Sequence, residues 1–212
     1  MSDDLLDRLA SEAAPVPRNR LPLLLAGILA VGAVLAAIVM IPWIGLRPDL
    51  MAATGTMIFW WKFAYTALFT AAAFIGVERM SRPGGSIRLP IMLVFALVAF
   101  AGVLGIIQLL MMPPEMARPL VMGSTALICP FYIVALSIPI YAATILLLRR
   151  LAPTNLALAG FAAGLMAGAA ASWVYAFHCG ESGMPFLAIW YTTGILFSAI
   201  GGAIVGRWAL RW

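Results

Sequence analysis

Six apolar stretches, each long enough to cross a membrane, occupy most of this 212-residue chain. They read as residues 21–43, 57–77, 90–112, 121–148, 156–177 and 186–206. Crossing a hydrocarbon core of ~30 Å at ~1.5 Å rise per residue takes ~20 consecutive apolar residues, which each stretch supplies. With 64% hydrophobic and 10% charged residues, the composition lies outside the range of soluble domains. An all-α integral membrane protein, a bundle of six transmembrane helices, is the expected fold class. The first stretch is too long for the apolar core of a signal peptide, and five more follow it, so it reads as an uncleaved first span.

Arginine placement orients the bundle. With the N-terminus inside, the cytoplasmic segments carry Arg8, Arg18, Arg20, Arg79, Arg82, Arg88, Arg149, Arg150, Arg207 and Arg211, and the outer loops carry only Arg47 and Arg118. Ten against two in short loops predicts cytoplasmic N- and C-termini. The net charge of +5 then reflects topology and anionic headgroups, and direct nucleic-acid binding is not implied. The chain divides into a cytoplasmic segment, 1–20, and a transmembrane domain, 21–212. No cytoplasmic piece is long enough to bury a core of its own, so no soluble enzyme domain is expected. The loop Ser81-Arg82-Pro83-Gly84-Gly85-Ser86 is turn chemistry and matches no phosphate-binding fingerprint.

Polar groups inside the spans are few. An ionisable side chain in a membrane is costly and usually marks an ion or proton path, and here Lys62 is the clear case. It follows Trp60 and Trp61 about one turn inside the outer face, where the simpler expectation is snorkelling to the interface. The functional alternative pairs it with Glu181 or with a thiol. Gln108, near the outer end of the third span, is expected to face a neighbouring helix. Without a mid-membrane carboxylate, ion-coupled transport is disfavoured. Pro130 and Pro139 fall within the fourth stretch as packing or kink positions. Gly160, Gly164, Gly168 and Ala171 form a small-residue face on the fifth, suited to close helix contact within the bundle or with a second copy of the chain.

The only two cysteines fall on one side. Cys129 lies near the outer end of the fourth stretch and Cys179 in the outer loop His178-Cys179-Gly180-Glu181. In a bacterium that side is the periplasm, where disulfides can form. Two chemistries suit the pair: a disulfide, if the fold brings the α-carbons within about 7 Å, or capture of a soft cation by thiolates with His178 as a third ligand. Buried cysteines are also ordinary small apolar residues. Met111, Met112, Met116, Met122 and Met184 gather toward the same face, chiefly as gap-fillers. No haem-attachment, serine-triad or zinc-protease pattern is present, and neither a cofactor nor a resident metal is expected.

The first twenty residues carry a second signal. Ser2 can cap a short helix with Asp3 and Asp4 in its first turn, and Leu5, Leu6, Leu9 and Ala13 follow at helical spacing. So short a helix orders fully only against a partner or the bilayer, and an ordinary disordered tail is the simpler alternative. Its acidic face suits anionic lipid poorly and a basic-faced protein well.

These residues resemble the negative-regulator-of-sigma-F family. The resemblance rests on the acidic start Asp3-Asp4-Leu5-Leu6, Pro15-Val16, the six spans, Cys129-Pro130, and the block His178-Cys179-x-Glu181-x4-Phe186-x3-Trp190-Tyr191. It covers essentially the whole chain, and the outer-loop block is its most specific part. It implies a bacterial inner-membrane anti-sigma factor, a regulator and not an enzyme, holding an extracytoplasmic-function sigma factor inactive. It further implies that Cys129 and Cys179, with His178 and Glu181 beside Cys179, sense oxidative or soft-metal stress. Asp3, Asp4, Leu5, Leu6 and Leu9 become the sigma-binding element. The alternative from another class is a membrane carrier or channel for a small uncharged or soft-metal solute.

Overall fold

The computed structural model describes residues 19–82 and 84–211. The predicted segment 1–20, with Asp3, Asp4, Leu5, Leu6 and Leu9, therefore lies almost wholly outside the described residues. The elements are α1 (Arg20–Trp43), α2 (Leu50–Ala53), α3 (Met57–Met80), α4 (Arg88–Met111), α5 (Pro114–Met122), α6 (Cys129–Arg149), α7 (Leu156–Tyr175) and α8 (Met184–Ala209). No strand occurs among the described residues. Six of these helices, all except α2 and α5, are long and apolar enough to cross a membrane. They are apolar on their outer faces too: Leu23, Phe95, Leu110 and Phe131 are all exposed. That is the pattern of helices whose solvent is lipid.

Small residues decide the packing order. Every residue from Ala162 to Ser172 in α7 is buried, which places α7 at the centre, with α8, α3, α6 and α1 packed around it. The Gly/Ala face of α7 makes its closest contact inside the bundle, against α8. A Cβ on Gly164 would stand 2.9 Å from the Ala199 α-carbon, and one on Gly206 2.7 Å from the Gly160 α-carbon. A Cβ on Gly202 would meet the Gly160 carbonyl oxygen at 2.5 Å. Van der Waals contact between two backbones is the main attraction available where lipid removes the hydrophobic drive between helices. The helix α4 sits outermost, against α3 and the first turns of α8.

Two expectations need correction. The fourth span starts at Cys129, not at 121, because Gly123 takes a positive φ of 51° and ends α5. Residues 123–128 then form a turn, closed by the Cys129 amide donating to Thr125 O at 2.9 Å. Pro130 consequently occupies the first turn of α6, where a missing N–H costs nothing, and only Pro139 is internal. Lys62 does not snorkel. It is 1% exposed, and its ammonium donates to the Cys179 carbonyl at 3.1 Å. Gln108 behaves as expected: its side-chain oxygen accepts from the Met184 amide at 2.7 Å and holds the start of α8 to α4.

The loops 44–56, 112–128 and 176–183 converge at one end of the bundle, where Arg47 N donates to Phe177 O at 3.1 Å. The opposite end gathers Arg20, Arg79, Arg82, Arg88, Arg149, Arg150, Arg207 and Arg211 at helix termini and in short loops.

Candidate functional site

Beneath the three converging loops lies a buried polar cluster contributed by four helices and two loops. Helix α3 supplies Lys62, α6 supplies Cys129 as its first residue, and α7 supplies Tyr175 at its last turn. Tyr191 comes from α8, at the end of a π-helical turn over Leu187–Tyr191. A π turn inserts a residue into the helical ladder and rotates the following side chains, a device common at functional sites. Cys129, Tyr175 and Tyr191 are fully buried and Cys179 is 2% exposed.

The chain comes back over α3 at Cys179. The Cys179 amide donates to Tyr175 O at 3.1 Å, extending the end of α7 by a turn. The Cys179 carbonyl then accepts from Lys62 Nζ at 3.1 Å and from Arg47 Nη1 at 3.4 Å. Lys62 Nζ also lies 3.8 Å from Cys179 Sγ. Both cysteines are free thiols. Around them, the buried hydroxyls of Tyr175 and Tyr191 meet no oxygen or nitrogen partner among the described residues and face the thiols, Tyr175 that of Cys129 and Tyr191 that of Cys179. A thiol is a weak hydrogen-bond partner for a buried hydroxyl, so two such phenols in one cluster single this region out.

The flanking residues fasten the loops and leave the thiols uncovered by further ligands. His178 Nδ1 faces Gly45 O at 2.9 Å, which makes Nδ1 the protonated nitrogen, and the ring packs against Tyr132 and Tyr175. Glu181 Oε1 accepts from the Ser124 amide and hydroxyl, both at 2.7 Å, and from Thr125 Oγ1 at 3.3 Å. Glu181 thereby clasps the turn that leads into Cys129 to the loop that carries Cys179. No group of three His, Cys, Asp or Glu side chains is arranged to hold a metal ion among the described residues.

Arg47 is fixed by a bidentate pair with Asp49, Nε to Oδ1 at 2.8 Å and Nη2 to Oδ2 at 2.7 Å. The hydrogen bond from Arg47 holds the Asp49 carboxyl below the usual carboxylate range and raises the guanidinium in return. A depressed carboxylate contributes stability above its unfolded pKa and loses it as pH falls through the folded one. Protection of backbone amides in 176–183 against hydrogen exchange, corrected for intrinsic rates, is therefore expected to fall on acidification. Asp49→Asn should show the weakened protection, lower by a severalfold factor, at every pH; an unchanged pattern would show that the pair does not hold this loop.

Sequence reasoning singled out Cys129, Cys179, His178, Glu181 and Lys62. It passed over Arg47, Tyr175 and Tyr191. Arg47 had a signal, as one of only two arginines assigned to outer loops. Tyr191 lay in the quoted outer-loop block, without a role.

These features define a class: a multi-pass helical membrane protein with a shielded thiol–amine–phenol cluster under one face. The family profile described as negative regulator of sigma F (NrsF) matches residues 9–212. An anti-sigma-F factor NrsF of Caulobacter vibrioides is 39% identical over 216 residues, covering 100% of this chain and 99% of that protein. A probable anti-sigma-F factor NrsF of Azospira oryzae is 35% identical over 218 residues, with the same coverage. This chain belongs to the negative-regulator-of-sigma-F family. No solved structure matches it.

Proposed function

We propose that this protein is an anti-sigma factor of the bacterial inner membrane, with both termini cytoplasmic, that holds an extracytoplasmic-function sigma factor inactive. The observation that carries the reading is end-to-end similarity to proteins named anti-sigma-F factors. The sigma-binding element is residues 1–20, with Leu5, Leu6 and Leu9 as the gripping stripe and Asp3 and Asp4 facing basic groups of the partner. The role is regulatory, with the bilayer and the sigma factor as partners.

Cys129 and Cys179 are the sensing pair in this reading, and His178 and Glu181 fasten the loop between them and the membrane surface. Of the two chemistries open to the thiols, oxidation fits better than cation capture. Lys62 Nζ lies 3.8 Å from Cys179 Sγ and opposes a cation there. Glu181 is turned to Ser124, and no group of three His, Cys, Asp or Glu side chains gathers at the thiols among the described residues. Burial of both thiols supports the shielding that a resting pair needs where disulfides are favoured. A signal shifts sigma binding only through different affinities in two bundle states, and a hundredfold change needs ~2.7 kcal/mol, which a disulfide can supply.

The test is a pull-down of the tagged chain from native membranes in mild detergent, with and without residues 1–20. A sigma factor captured by the full chain and lost on truncation supports the reading. Capture that survives the truncation would move the contact to the inner loops. No sigma factor in either preparation would overturn the anti-sigma role.

A further inference from the structure

Lys62 is the one basic side chain of this cluster that is wholly buried. The side chain is 1% exposed in a membrane-spanning helix, and its polar contacts are the carbonyl and the sulfur of one residue, Cys179. A buried ammonium without an anion costs several kcal/mol, so Lys62 can hold its proton here only beside a counter-charge. Other charged and titratable groups face it from each packed element. Arg47 and Asp49 come from the 44–56 loop, Cys129 from α6 and Glu181 from the same loop as Cys179, with Tyr175, Tyr191 and His178 around the thiols of the same cluster.

None of these is as well placed as the sulfur. Asp49 is committed to Arg47 at 2.7 Å and 2.8 Å, and Glu181 to Ser124 and Thr125. The Arg47 guanidinium, in turn, is neutralised by Asp49 and cannot substitute for the amine. The acceptor at hand that can carry a full negative charge is Cys179 Sγ. In water an amine holds a proton more tightly than a thiol; burial works against both charged forms, and the attraction of the two ions across 3.8 Å works the other way.

We propose that Lys62 and Cys179 form a buried ammonium–thiolate pair, Lys62 being the positioning residue that keeps Cys179 in its reactive form. The proton passes from Cys179 Sγ to Lys62 Nζ, so the pair is neutral overall before and after transfer. The inference deepens the sensing reading above and rests on it for its meaning: of two buried cysteines, Cys179 is the one that meets the oxidant first. Cys129 has no such partner within hydrogen-bond distance of a cation among the described residues, and serves as the second thiol.

The chain has two cysteines, so Cys129→Ala leaves Cys179 as its only thiol. The S–H stretching band in the infrared spectrum of that protein, in lipid nanodiscs, then reports the protonation of Cys179 without needing access to it. Little S–H band is expected at neutral pH, appearing on acidification. Lys62→Met in the same background should show a strong band at neutral pH, with its disappearance moved up by about one pH unit or more, a tenfold loss of thiolate. Lys62→Gln repeats the test should the methionine variant fold poorly, and Lys62→Arg should keep the band weak. A purely structural role for Lys62 would change stability and leave the midpoint in place. Equal S–H bands with and without Lys62 would overturn the pair. The measurement involves no sigma factor, so its failure is distinguishable from a failure of the anti-sigma or sensing reading.

Discussion

Gly164→Leu is expected to remove the folded protein from the membrane fraction, whereas Gly201→Leu should accumulate normally. Both glycines are internal to long helices, so helix propensity and hydropathy change alike. Their surroundings differ. A Cβ on Gly201 meets nothing within 4 Å, because it points to lipid. A Cβ on Gly164 meets the Ser198 carbonyl and stands 2.9 Å from the Ala199 α-carbon. Backbone cannot rotate out of the way as a side chain can, so even alanine at 164 must push α8 off α7. Overpacking of this kind costs about 1–3 kcal/mol, and leucine adds more atoms to the same clash. The contact has little redundancy, because Gly160, Gly164, Gly202 and Gly206 interlock at adjacent levels of the same pair of helices. Fluorescence-detected gel filtration and resistance to SDS unfolding measure the result. Gly164→Ala should lower the SDS midpoint and Gly164→Leu should abolish the monodisperse peak. Wild-type behaviour of Gly164→Leu would contradict the α7–α8 contact described above.

The bundle itself was legible in the sequence for a simple reason. A span must be apolar all round and about twenty residues long, and few other folds demand that. Its internal order was less legible. The repeat of Gly160, Gly164 and Gly168 marked a contact face, but a small-residue face suits an intramolecular neighbour and a second protomer equally well. Only the matching Gly202 and Gly206 on α8, brought opposite by the fold, decide it. The start of the fourth span was misplaced because 121–128 is apolar enough to pass for helix. What ends the preceding helix is the positive φ of Gly123, a backbone property that hydropathy does not register.

Lys62 shows the same limit at the candidate site. It lies in the second turn of α3, and snorkelling is the usual solution for a lysine near the end of a span. What the sequence could not reveal is that residues 176–183 fold back over the end of α3 and offer a carbonyl and a sulfur inside. The acceptors come from Cys179, 117 positions away. The buried phenols of Tyr175 and Tyr191 were invisible for a related reason: an aromatic residue near the end of a span reads as an interfacial anchor, and here both are wholly enclosed.

Replacing both Cys129 and Cys179 by serine is expected to leave the sigma factor held and the response to oxidants lost. Serine keeps the size of the side chain and cannot form a disulfide, so oxidant no longer distinguishes two states of the bundle. A stimulus without differential interaction shifts nothing, however strong it is. Basal holding should persist, since residues 1–20 are untouched. The size of the loss is set by the release the wild-type protein achieves; where that is a hundredfold, the variant forfeits the whole ~2.7 kcal/mol. The single substitutions sharpen the argument. If the two sulfurs act by bonding to one another, Cys129→Ser alone and Cys179→Ser alone should each be as unresponsive as the pair, a fully non-additive result. Alanine in place of serine at Cys129, which is fully buried, checks that a buried hydroxyl is not itself the cause. The readout is a sigma-dependent reporter with and without oxidant, beside the amount of sigma factor retained on membranes. Normal induction in the double variant would falsify the sensor assignment. Half-responses from each single variant would instead mean that the thiols react separately and that no bond between them carries the signal.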